Sequence, residues 1–200
     1  MATADGAGEA LGWTGRVMQV LAHVSRLLAV QGLWALGVLA GCVVLGVHPA
    51  SVAAVRALEA PSGLTRAFWA AYRGALVRAN LVGAGFTLAT ALVVLEVLLV
   101  PMPAVVLAAV TVAGAGALVA AGYAVVAQAR VPAATARAVL RFALLAPWAS
   151  PWRAVGVLCV LAALALAIAT APAVALLFGA SAPLLVASAL IGPVVARAAG

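Results

Sequence analysis

The sequence predicts an all-α, polytopic helical membrane protein with about five transmembrane helices and two Arg-rich interfacial helices. Three observations carry that expectation. Of 200 residues, 68% are hydrophobic and only 8% charged, with a mean hydropathy of +1.29; a soluble domain is typically about 25% charged. Apolar runs of about twenty residues, the length a helix needs to cross the hydrocarbon core, recur along the chain. The basic residues are all arginine, and most sit in short straps beside those runs, which is the positive-inside pattern. The longer strap, from His48 to Asn80, carries Arg56, Arg66, Arg73 and Arg78. Holding four guanidinium groups at the bilayer centre would cost on the order of 10 kcal/mol, so the strap stays on one side and fixes the orientation of the chain.

Residues Met1 to Gly12 are small and polar, include Asp5 and Glu9, and are expected to form a mobile tail without the positive start of a cleavable signal. From Leu11 to Val30, Val17, Val20, Leu21, Val24, Leu27 and Leu28 recur at helical spacing among Arg16, His23 and Arg26, an interfacial lead-in. Leu27 to Val47 is uncharged and reads as the first span. Within it Gly37 and Gly41 share a face that lets another helix approach, although a Gly- and Ala-rich chain also yields such pairs by composition. Leu39 to Cys42 resembles a lipobox, but apolar Val43 to Val47 follow where a lipidated cysteine would open a polar tether. His48-Pro49 is expected to break the helix. Ser51 to Ala60 resumes it, Pro61 to Gly63 turn, and Leu64 to Ala79 form a helix with an apolar stripe of Leu64, Phe68, Tyr72, Ala75, Leu76 and Ala79. That helix is expected to lie in the interface plane, with Trp69 and Tyr72 at headgroup depth.

Asn80 to Val100 is the second span, Pro101 to Pro103 an uncharged turn, and Ala104 to Ala127 the third span, whose Gly114, Gly116 and Gly122 suit close packing. Arg130, Arg137 and Arg141 mark the second strap, whose helix runs from Ala133 to Leu145 and ends at Pro147-Trp148, and their spacing of seven and four is expected to put the three on one face. Ala154 to about Phe178 is the fourth span, bent by Pro172. Ser181 to Pro183 turn, and Leu184 to Ala196, broken by Pro193, is a short fifth. The chain reads as a single integral membrane domain over 1–200. A weak repeat relates 64–127 to 133–196 with both copies threaded alike, as in parallel-repeat transporters, though Ala/Val/Leu composition gives the same impression. The expected placement is multi-pass in the plasma (inner) membrane, with the N-terminus outside and both straps and the C-terminus cytoplasmic. Nine of the eleven arginines are then inside, and Arg16 and Arg26 outside.

The inventory excludes most chemistry. Without lysine there is no P-loop lysine, Schiff base or Ser-Lys dyad. With only Asp5, Glu9, Glu59 and Glu96 as acids, no carboxylate metal centre is expected. Cys42 and Cys159 stand alone in apolar runs and are expected to be buried small hydrophobes. His23 and His48 have no companion ligands. No catalytic set or cofactor loop assembles, so neither an enzyme nor a cofactor is expected. The charge of +7 and pI of about 11.4 follow from the straps and not from a basic groove interleaved with aromatics, so no nucleic-acid partner is expected. Glu96, the lone acid inside a span, lies roughly 7 Å from its outer end at 1.5 Å per residue. A structural hydrogen bond to Thr90 or a neighbouring helix is favoured there over a functional intramembrane polar site. Arg56, Arg66, Arg73, Arg78, Arg137 and Arg141 are the candidate docking residues, for membrane lipid or transporter subunits.

Four segments resemble the YesL-like family of bacterial integral membrane proteins: Leu33-Trp34, Pro49-Ala50-Ser51-Val52-Ala53-Ala54, Phe68-Trp69-Ala70-Ala71-Tyr72-Arg73, and Arg78-Ala79-Asn80-Leu81-Val82-Gly83. They fall within roughly the first half of the chain. The resemblance implies a small multi-spanning protein whose family has no characterised molecular function and whose relatives are often encoded beside sugar-uptake transporters; it supplies no catalytic residues. His48 stands where relatives tend to have Gly, and Gln31-Gly32 where they tend to have Asn, departures that speak against a role for a polar side chain there. The expected function is a scaffold or accessory subunit associated with a membrane transport system of the sugar-uptake kind. The alternative is a small transporter or channel in its own right.

Overall fold

The computed structural model describes residues 13–199, so the expected mobile tail lies outside the described residues. They form eight helices: α1 (Trp13–Ala40), α2 (Val47–Glu59), α3 (Leu64–Leu99), α4 (Ala104–Arg130), α5 (Ala136–Ala149), α6 (Pro151–Thr170), α7 (Pro172–Phe178) and α8 (Ser181–Ala199). Five of them, α1, α3, α4, α6 and α8, are long and apolar enough to cross a membrane. The all-α polytopic class stands.

The largest departure is at the first span. The expected lead-in and the start of that span are one helix, but α1 stops at Ala40 instead of continuing to Val47, and the chain reverses through 41–46. The reversal needs backbone in contact with backbone. A Cβ on Gly41 would stand 2.3 Å from the Gly46 Cα, and one on Gly46 would stand 2.3 Å from the Val38 carbonyl oxygen. Cys42 and Val43 turn the chain with left-handed φ values of 53° and 65°, which cost a β-branched residue on the order of 1 kcal/mol or more. α2 then runs back along α1. His48-Pro49 does not break a helix but opens this one; in the first turn proline's missing N–H leaves no intrahelical bond unmade.

The glycine pair found by spacing is used at this contact. Gly37 lies beneath Phe68, Ala50 and Tyr72, and Tyr72 donates its hydroxyl to the Gly37 carbonyl at 2.8 Å. Trp34 Nε1 donates to Ser51 Oγ at 3.1 Å, tying α1 to α2 again.

α3 corrects a second expectation. The arginine-bearing helix and the second span are one unbroken 36-residue helix, roughly 54 Å at 1.5 Å per residue against a hydrocarbon core of about 30 Å. Most of the apolar stripe of its first half faces protein and not the membrane interface: Phe68, Tyr72, Ala75 and Ala79 are buried, the first two against α1 and α2, while Leu76 is exposed. Tyr72 is therefore a core residue.

α4 begins at Ala104 as expected and continues one turn further, to Arg130. α5 starts at Ala136 because the Thr135 side chain accepts from the Ala138 N–H, an N-cap that the hydropathy pattern does not show. Pro147 lies inside α5, and Ser150 separates α5 from α6. The fourth span is broken, not bent, ahead of Pro172, and Ser181-Ala182-Pro183 is the first turn of α8 and not a separate turn. The two repeat-like stretches thus begin differently, 64–127 with one unbroken helix and 133–196 with two.

The buried residues of α3 end at Phe86, and those of α4, Gly114 apart, begin at Val119. The core therefore occupies the arginine-bearing end of the bundle. Beyond it α3 and α4 expose Leu88, Leu92, Leu98, Val105 and Val112, a surface suited to lipid chains. Cys42 and Cys159 are exposed, contrary to expectation, because both lie on outward-facing apolar surface.

Candidate functional site: an arginine clamp on helix ends

The last carbonyls of an α-helix have no intrahelical partner and carry the negative end of the helix dipole. At the core end of the bundle this chain meets that need with guanidinium groups. Arg26 Nη2, from α1, donates to the carbonyls of Ala57 and Leu58, each at 3.0 Å, and to that of Ala60, closing the C-terminus of α2. Arg56 Nε, from α2, donates to the Ala129 carbonyl at 2.7 Å, in the last turn of α4. Arg78 Nη1, from α3, donates to the carbonyls of Pro132 and Ala134 just beyond α4. Three arginines on three helices thereby tie down the chain ends of their neighbours.

A fourth arginine works through a carboxylate. Arg130 makes an ion pair with Glu59 Oε1 at 2.7 Å, and its Nε reaches the same oxygen at 3.1 Å. Ser188 Oγ, from α8, donates to that oxygen at 2.6 Å. The guanidinium lies directly on Gly192, where a Cβ would be 2.1 Å from Nη1. The ends of α2 and α4 are thus joined to α8. Both partners of the pair are partly solvent-exposed, so its Coulombic contribution is small and its role is positional.

The six candidate docking arginines divide. Arg56 and Arg78 face inward onto backbone carbonyls, which removes them from an outward-facing docking surface. Arg66, Arg73, Arg137 and Arg141 are exposed. Arg130 does not share a face with Arg137 and Arg141, because it ends α4 and they belong to α5. The expected separation of Arg26 from the strap also fails: hydrogen-bonded to Ala57, Leu58 and Ala60, it lies at the strap's own end of the bundle. Glu96 is exposed in the last turns of α3, and its side chain makes no hydrogen bond among the described residues.

Two polar residues gain roles that their positions in apolar runs did not reveal. Gln31 Oε1 accepts from the backbone N–H groups of Ala180 and Ser181, each at 3.0 Å, and Nε2 donates to the Leu176 carbonyl at 3.1 Å, so it bridges the junction of α7 and α8. His48 is buried at the start of α2, with its ring against Gly83 of α3; a Cβ there would be 2.1 Å from its Cγ. Among the described residues no group of His, Cys, Asp and Glu could hold a metal ion.

Fold and site define a multi-pass α-helical membrane protein whose arginines hold helix ends together. Residues 27–97, from the middle of α1 almost to the end of α3, match the model of a family described as a protein of unknown function, DUF624. No curated protein and no solved structure matches the chain significantly.

Proposed function

We propose that this chain is a non-catalytic scaffold or accessory subunit of a membrane transport system in the plasma (inner) membrane, with its arginine-bearing end in the cytoplasm. The observation that carries the reading is the division of the arginines. Arg26, Arg56, Arg78 and Arg130 are committed to holding helices, whereas Arg66 and Arg73 stand exposed on the first half of α3. That half extends past the level at which Arg78 meets the loop after α4, so it offers charge to an acidic surface on a partner. The YesL-like segments fall mainly in α1, α2 and this part of α3, and they point to a sugar-uptake transporter as the partner class.

The topology that goes with this reading has four crossings. α1 and α2 enter from the cytoplasmic side and turn back, so the N-terminus shares that side with the straps. Support comes from the Arg26 bonds to the end of α2 and from the contact of His48 with Gly83. From Gly83 to Leu99, α3 runs on for roughly 24 Å at 1.5 Å per residue, a distance the hairpin does not match. The C-terminal end of α8 belongs to the same side, since Ala198 lines a cavity with Val131, Ala134 and Ala138. No arginine then faces the opposite side, which satisfies the positive-inside bias more fully than the five-span threading.

A second reading, a small transporter, is favoured by one observation: His48 Nδ1 and both amide atoms of Gln128 are buried without a partner, and such groups in a membrane bundle can mark a path for a solute. Purification in mild detergent separates the two. A stoichiometric transport subunit should accompany the chain and be lost in the Arg66→Gln/Arg73→Gln variant, which keeps its helical content. Solute flux through liposomes containing the chain alone, with no partner recovered, would reverse the preference.

A further inference from the structure

Between α5 and α8 lies a groove of about 450 Å³, lined by Ala138, Phe142, Leu145, Val194, Ala198 and, as its one charged residue, Arg141. A smaller cavity of about 150 Å³ continues it, sharing Ala138, Phe142 and Ala198 and reaching Val131. Arg137 lies one turn before Arg141 on α5, and Arg197 adjoins Ala198 in the last turn of α8; both are exposed. Among the described residues none of these three arginines has an ion pair, and none donates a hydrogen bond. They differ in this from Arg26, Arg56, Arg78 and Arg130, whose guanidiniums are committed to carbonyls or to Glu59.

An apolar trough with uncommitted cations beside it is complementary to a molecule that joins an anion to a hydrocarbon chain. We propose that this groove binds an anionic phospholipid of the cytoplasmic leaflet, an acyl chain lying along Phe142, Leu145 and Val194 and the phosphate held by Arg141 with Arg137 and Arg197. The volume falls in the range of built ligand sites, and basic sites between membrane helices on the cytoplasmic side bind anionic headgroups. The proposal goes beyond the accessory-subunit reading, because lipid can occupy α5 and α8 whether or not a partner docks on α3. It needs only that the arginine end faces an anionic leaflet.

The test titrates the purified full-length chain in detergent with phosphatidylglycerol or phosphatidylcholine and counts bound lipid by native mass spectrometry. The wild type should hold one phosphatidylglycerol in preference to phosphatidylcholine. Each arginine near an anionic headgroup contributes roughly a fivefold factor, so Arg137→Gln/Arg141→Gln should weaken binding by about thirtyfold. Ala198→Phe, which fills the trough at an exposed position and leaves the charges in place, should weaken it as well, whereas Arg66→Gln/Arg73→Gln should change it less than about twofold. Equal binding of both lipids, an equal loss from the α3 pair, or no effect of Ala198→Phe would overturn the proposal, the last because it would leave a headgroup surface with no chain site. Circular dichroism checks that each variant keeps its helices.

Discussion

Gly83→Ala is expected to cost about 3 kcal/mol, the upper end of what overpacking a filled site costs, and His48→Ala introduced with it is expected to recover most of that loss. One methyl group has this effect because the added Cβ would overlap the His48 ring, its nearest atoms being 2.1 to 2.5 Å away. The ring cannot simply withdraw, since His48 is buried in the first turn of α2. Either the hairpin shifts away from α3 or the histidine leaves its rotamer. Thermal unfolding of the four proteins of the cycle in mild detergent measures the coupling. Additive losses in the double variant would mean that the tip of the hairpin does not rest on Gly83.

The second large effect is expected at Arg26. Arg26→Gln removes a cation that serves the Ala57, Leu58 and Ala60 carbonyls together. A hydrogen bond from a charged donor contributes about 1.5 to 3 kcal/mol, and the end of the α2 dipole loses its counter-charge as well. The expected destabilisation is about 2 to 3 kcal/mol, against less than about 0.5 kcal/mol for Arg66→Gln at an exposed position. Limited proteolysis between Ala60 and Gly63 should report it, because the loop after α2 is released first. Equal resistance of the two variants would contradict the clamp.

Much of this fold was legible in the sequence. Length and hydropathy find α4, the second half of α3 and most of α6, and the proline turn at 101–103 fixes where α4 begins. What could not be read was direction. Val43 to Val47 are apolar and look the same inside a span as in a reversal at its end; only Gly41 and Gly46 distinguish the two, through backbone contacts that hydropathy does not weigh. Pro49 and Pro183 look like interruptions in the sequence, yet a proline is as well placed in the first turn of a helix as beyond its last. The straps single out the arginines in the sequence, but as docking residues and not as partners of helix ends. Which ones face inward depends on which helix ends lie nearby, and that is a property of the packed bundle. Gln31 gave no signal beyond its isolation, since its partners at Leu176, Ala180 and Ser181 are remote in sequence.

The claim that α1 turns back with α2 instead of crossing is tested most directly by the sidedness of Ser25. In a variant lacking Cys42 and Cys159, single cysteines at Ser25, Ser62 and Ala104 are treated with an impermeant thiol reagent in intact cells and again after permeabilisation. Ser25 and Ser62, which line one cavity together with Arg26, should both be protected until the membrane is opened, and Ala104, at the start of α4, should react at once. Labelling of Ser25→Cys in intact cells while Ser62→Cys stays protected would put the membrane between them and contradict the account.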